Sequence, residues 1–253
     1  MGLMETLISS KDLCKRYADT TALSGLSVTV SSGEIVGLLG PNGAGKTTAI
    51  HIFLGLLSPT SGEVRIFGKD PLKYKHELSK KLNFSSAYAQ LPSNLKVLEN
   101  LSVFSRLYCV PDAKKKIAGL LELLDMTALA GRITGALSAG EKTRLNLCKC
   151  LLNDPELLLL DEPTASLDPE MADNVRKLLK KIQKERNIGI LYTSHNMPEV
   201  EEICDTVYFI HEGRMIAEGA PAEVIRTFES KTLEQVFIKI VRSGDFVFKR
   251  EKP

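Results

Sequence analysis

The sequence predicts an α/β fold, a mainly parallel sheet with intervening helices and one helical insertion. Three observations carry that reading. Residues 34–39 form an apolar run leading into the loop Gly40-Pro-Asn-Gly-Ala-Gly-Lys-Thr47, and a helix-like run over 46–57 follows. The leucines at 157–160 end in the paired acids Asp161 and Glu162, as expected of a strand buried on both faces. From about 95 to 153 the apolar residues change to helical spacing, as in Val97-Leu98, Leu101 and Phe104, then Ile117 and Leu120-Leu121.

Taken in order, 7–13 and 21–30 read as short strands, and Ser31-Ser-Gly33 is the turn before the strand that feeds the glycine-rich loop. Ser58-Pro-Thr-Ser-Gly62 is a dense turn signal, 63–67 a strand, 71–81 a charged helix or loop, and 82–88 a strand entering the interior. Pro111 and Gly131 punctuate the helical stretch. A further helix opens at Ser138, whose hydroxyl suits an N-cap, with Glu141 three positions on to complete a capping box. Asp168 before Pro169 is a second N-cap signal, for a Lys- and Leu-rich helix to about Arg186. Residues 189–193 are an apolar strand ending in Thr-Ser-His195. The ranges 206–210 and 214–218 read as final strands about a Glu212-Gly213 turn, and 223–228 and 233–241 as terminal helices.

Composition excludes more than it identifies. At 253 residues, 43% hydrophobic and 25% charged, the chain suits one globular α/β domain. A net charge of +2 gives no electrostatic footprint for nucleic acid. Five cysteines without a CxxC pair read as reduced thiols. The first ten residues contain Glu5 and lack the pattern of a signal peptide, and no apolar run reaches the ~18 residues of a membrane span.

The loop carries the chemistry. Its glycines let backbone N–H groups approach phosphate oxygens, and the following helix N-terminus adds donors and partial positive charge. Lys46 is placed for β- and γ-phosphates and Thr47 for Mg²⁺. Two acids closing a buried strand, Asp161 and Glu162, repel each other unless a cation is near, so one carboxylate could hold Mg²⁺ and the other could deprotonate an attacking water. His195 ends another sheet strand, within reach of the same edge. Tyr17 either stacks on a base or simply packs.

With these residues in place, the chain resembles the nucleotide-binding subunit of ATP-binding cassette (ABC) transporters, from Tyr17 to Gly219. Residues 40–47 match the family's Walker A motif and 157–162 its Walker B. Leu137-Ser-Ala-Gly-Glu141 is similar to the signature Leu-Ser-Gly-Gly-Gln, with Ala139 and Glu141 as departures. Ser166-Leu-Asp168 matches the D-loop and His195 the switch histidine. The resemblance implies one cassette domain over 1–253: a P-loop NTPase core, an N-terminal antiparallel β-subdomain, a helical subdomain at about 95–153 and a C-terminal helical extension at about 220–253.

It also implies ATP and Mg²⁺ as ligands. Glu162, His195 and Lys46 would be catalytic; Tyr17, Asn42, Gly43, Ala44, Gly45, Thr47, Thr48, Ser138, Gly140 and Asp168 would bind nucleotide; Thr47, Asp161 and Gln90 would hold the metal. Gln90 sits closer to Leu95-Lys-Val97 than the family's Q-loop glutamine does, and 85–87 compete for that position. The implied partners are a second, identical cassette and a separate transmembrane permease, on the cytoplasmic face of the membrane, with no nucleic acid. Thr232-Leu-Glu-Gln-Val-Phe-Ile-Lys239 is similar to the endings of exporter-type cassettes, which serve drug, lipid or polysaccharide efflux. Three rivals fit less well. Ribosome- or DNA-acting ABC ATPases carry two cassettes or long coiled coils. GTPases carry an Asn-Lys-x-Asp motif that this sequence lacks. A cassette without turnover would not need both Glu162 and His195.

Overall fold

The computed structural model describes residues 5–86 and 90–243. Its strands are β1 (Thr6–Tyr17), β2 (Thr20–Leu26), β3 (Thr29–Ser31), β4 (Ile35–Leu39), β5 (Ser61–Ile66), β6 (Leu82–Ser86), β7 (Leu157–Asp161), β8 (Gly189–Thr193), β9 (Thr206–His211) and β10 (Arg214–Gly219). The helices are α1 (Lys46–Phe53), α2 (Lys75–Leu78), α3 (Val97–Leu107), α4 (Ala113–Leu123), α5 (Ala139–Cys150), α6 (Pro169–Arg186), α7 (Met197–Ile203), α8 (Pro221–Thr227) and α9 (Leu233–Ser243).

The larger sheet has the order β10-β9-β4-β8-β7-β6, parallel except for β10 against β9. Its central strands are continuous apolar runs because both faces are covered. The two-residue period then divides them between two cores. Ile35, Leu39, Leu158 and Leu160 join the core built with the helices from α3 onward. Val36, Leu38, Leu157 and Leu159 join a second core with α1 and the smaller sheet. Each such leucine contributes about 1.5–3 kcal/mol by leaving water, so the parallel strands tie both halves of the molecule together.

The smaller sheet is antiparallel: β2 and β3 follow one another along β1, and β5 also pairs with β1. The single strand expected over 21–30 is therefore two. At the break, side chains replace ladder bonds: Val28 N–H donates to Ser10 Oγ (2.9 Å) and Asp12 N–H to Ser27 Oγ (3.0 Å). The first helix is also shorter than 46–57. Gly55, at φ 64°, takes the left-handed conformation that ends helices, and a side chain there would strike the Pro71 carbonyl.

Between β6 and β7 lie α3, α4, two short 3₁₀ turns and α5. The helix α5 is fixed to the sheet in part by Cys150 Sγ, which donates to Phe84 O at 3.1 Å. Of the strand expected over 82–88 and the helices over 220–253, residues 87–88 and 244–253 fall outside the described residues. Among the described residues no helix is long and apolar enough to cross a membrane.

Candidate functional site

The carboxyl ends of β4, β7 and β8 open on one cleft of about 580 Å³. It is lined by Asn42, Gly43, Ala44, Gly45, Lys46, Thr47 and Thr48 from the loop and α1, with Asp161, Glu162 and His195. The loop has its shape because Gly45 holds φ 106°, where a Cβ would collide with the Ala22 carbonyl. Lys46 Nζ donates to the carbonyls of Gly40 (2.5 Å) and Pro41 (3.1 Å), so its ammonium already lies along the loop. Burial pushes the Lys46 pKa down, and the carboxylates of Glu162 and Asp161 oppose that shift.

Thr193, at the end of β8, organises both acids. Its hydroxyl donates to Asp161 Oδ1 at 2.7 Å and accepts from Glu162 N–H at 3.1 Å. Glu162 has φ 53°, a left-handed conformation costing roughly 1–2 kcal/mol for a residue with a side chain. That turn directs adjacent acids to different work: Asp161 stays on Thr193, while Glu162 Oε2 meets His195 Nδ1 at 2.7 Å. Thr47 and Asp161 line the cleft together, and a hydroxyl with a carboxylate is a donor set suited to Mg²⁺, which takes few protein ligands beside phosphate and water.

Other expected site residues lie elsewhere. Ser138 caps α5: its Oγ accepts from Glu141 N–H at 3.2 Å and its own N–H donates to Glu141 Oε2 at 2.6 Å. That hydrogen bond holds the Glu141 carboxyl below the usual carboxylate range. Asp168 caps α6 through Met171 N–H at 2.9 Å. Neither these two nor Gly140 lines the phosphate cleft. Tyr17 ends β1 and is 45% exposed, with Lys15 Nζ 5.0 Å from the centre of its ring.

Gln90 lines a separate cleft of about 360 Å³ with Ser93, Thr134, Asn146 and Ser166. The residue paired with Asp161 across the sheet is Ser86, the last residue of β6. Sequence reasoning missed Thr193, Ala22, Ala165 and Phe237 as neighbours of the cleft. A hydroxyl just before Ser-His195 was a usable signal for the first; Phe237, on α9, offered none.

The sequence profile of the ABC transporter family matches residues 23–165. The bacitracin transport ATP-binding protein BcrA of Bacillus licheniformis is 38% identical, over 91% of this chain and 75% of its own length. The chain belongs to the ABC transporter family. A Nod factor export ATP-binding protein I from Burkholderia orbicola is 40% identical to this ABC cassette, over 87% of the chain and 73% of its own length. The solved ATP-binding subunit of an ABC transporter superposes with a TM-score of 0.85 at 26% identity, covering 93% of this chain and 99% of that one. A dimeric post-hydrolysis cassette bound to ADP and Pi gives 0.77 at 25% identity, covering 85% and 98%. This ABC cassette is thus an ATP-binding and ATP-hydrolysing transporter subunit with the expected α/β architecture.

Proposed function

We propose that two copies of this chain close around ATP and Mg²⁺ to drive a separate membrane permease, exporting a drug, lipid or polysaccharide. One observation carries the pairing: Ser138 and Gly140 lie at a helix N-terminus outside the chain's own phosphate cleft. A second subunit can bring that N-terminus, with its donors and dipole, to the γ-phosphate. The names of the relatives, one for bacitracin transport and others for Nod factor export, support the export direction. We place the cassette on the cytoplasmic face of the membrane, with the helical subdomain at 95–153 meeting the permease and no nucleic-acid partner.

Within the closed pair, Lys46 exchanges the carbonyls of Gly40 and Pro41 for β- and γ-phosphate oxygens. Thr47 and Asp161 would hold Mg²⁺, which would neutralise charge on the phosphates. Glu162 takes a proton from the attacking water, and His195, on the Glu162 carboxylate, orients it toward the transferring group. Tyr17 supplies an aromatic face to the adenine.

Sedimentation of Glu162→Gln tests this reading. The amide spares binding and blocks water activation, so the variant should run as a dimer with ATP and a monomer without. Adding Ser138→Arg should abolish the dimer while leaving ATP binding by the monomer. A Glu162→Gln chain that stays monomeric at saturating Mg·ATP, even with Glu141→Gln added, refutes pairing of identical copies.

A further inference from the structure

Behind the cleft a buried carboxylate has no part in the chemistry so far. Glu199, on α7, is 7% exposed. Its Oε2 accepts from Thr164 Oγ1 at 2.7 Å, Tyr192 OH at 3.3 Å and Ser194 Oγ at 3.4 Å. Its Oε1 accepts from Arg176 Nη1 at 3.1 Å, and Arg176 Nε continues to Glu202 Oε2 at 2.8 Å. Burying a carboxylate is costly, and a well-packed apolar residue would avoid that cost, so stability alone accounts poorly for this group. Its partners are the informative part. Thr164 follows Glu162 closely in the chain, and Ser194 directly precedes His195. One carboxylate thus holds both flanks of the 2.7 Å contact between Glu162 and His195. Arg176 ties the same carboxylate to α6, which begins at the Asp168 cap.

We propose that Glu199 is a positioning residue for hydrolysis, clamping the segment after Glu162 to the segment before His195 so that these two side chains stay in register. The proposal rests on the roles given above to Glu162 and His195. It acts on the chemical step. The loop that holds the phosphates is built from 40–48, and Glu199 touches none of it. Loss of the clamp should therefore slow turnover and leave nucleotide affinity intact.

The test measures steady-state ATP hydrolysis and equilibrium ATP binding on the full chain. Glu199→Ala should lower kcat at least tenfold with ATP affinity kept within twofold. Glu199→Gln, whose amide oxygen still accepts from the hydroxyls, should recover most of the loss. In a His195→Ala background, which by itself should lose turnover, Glu199→Ala should add less than twofold. Unchanged kcat in folded Glu199→Ala, a joint fall in kcat and affinity, or losses that multiply in the double variant would each overturn the proposal. Should Glu199→Ala not fold, Thr164→Val and Ser194→Ala delete one hydroxyl each. Slower turnover with affinity kept supports the clamp, and two normal enzymes sink it. His195→Ala at full rate refutes the site assignment and the clamp together. His195→Ala impaired beside a normal Glu199→Ala refutes the clamp alone.

Discussion

Replacing Thr193 by valine isolates one hydroxyl at the centre of the site. Thr193 is 0% exposed, and valine keeps its branched shape, so the substitution removes hydrogen bonds with little change in packing. The hydroxyl donates to the Asp161 carboxylate at 2.7 Å, a charge-assisted bond whose loss costs about 1.5–3 kcal/mol. Its second bond, from Glu162 N–H at 3.1 Å, is partly backed up, because that N–H also donates to the Thr193 carbonyl at 3.2 Å. Water can reach the partly exposed Asp161, which favours the lower half of the range, so a net loss of about 2 kcal/mol is expected. For a chain of this size that lowers Tm by about 4–8 °C. Thermal unfolding followed by circular dichroism measures it, and ATP hydrolysis on the same sample should fall as Asp161 loses its orientation. A Tm within 1 °C of the parent, with unchanged turnover, would refute the bridging role.

Tyr17→Ala should weaken ATP binding by about 1–2 kcal/mol if its exposed ring stacks on adenine, with Tyr17→Trp retaining affinity; titration of ATP into each variant decides, and no loss makes Tyr17 a packing residue. Maleimide should label exposed Cys109 in the folded protein, whereas buried Cys148, Cys150 and Cys204 should react only after unfolding. Burial pushes the Cys148 thiol from its ordinary 9.0 up to about 12, so the folded state keeps a proton that the unfolded chain gives up. Its contribution is whole below pH 9 and is lost as pH rises toward 12, at about 1.4 kcal/mol per pH unit; denaturant midpoints should fall across that window and do so less steeply in Cys148→Ala.

The parts legible in the sequence were those set by near neighbours. The loop after β4, the Ser138–Glu141 capping box and the Asp168-Pro169 helix start each need only a few adjacent residues, and each stands where the pattern put it. The four leucines of β7 announced a strand covered on both faces, but not which core each leucine joins; that depends on elements arriving from both ends of the chain. The break between β2 and β3 depends on Ser10 and Asp12 in a different strand, which no local periodicity records. Thr164, Ser194 and Glu199 meet only once β7 and β8 are neighbours and α7 folds beneath them. The segment joining Gln90 to β6 lies outside the described residues, and the register of β6 with β7 brings Ser86 beside Asp161.

Glu141 shows how a departure from a motif can be read through geometry. The signature ordinarily ends in glutamine, and on the pairing proposed above a carboxylate at that place would carry negative charge toward the surface that meets a γ-phosphate. Its Oε2 is engaged by Ser138 N–H at 2.6 Å, completing a capping box that glutamate or glutamine fills equally well. Its Oε1 faces Arg132 Nη1 at 3.3 Å, and the group sits in the first turn of α5, where the helix dipole favours an anion. The Glu141 side chain is 18% exposed and Arg132 is 48% exposed, so the ion pair moderates the charge without cancelling it. Glutamate therefore preserves the local fold that presents Ser138, and on the proposed pairing its cost would fall on the electrostatics of closure. ATP-driven pairing of this cassette should accordingly depend on Arg132 to an extent that a glutamine-bearing signature does not.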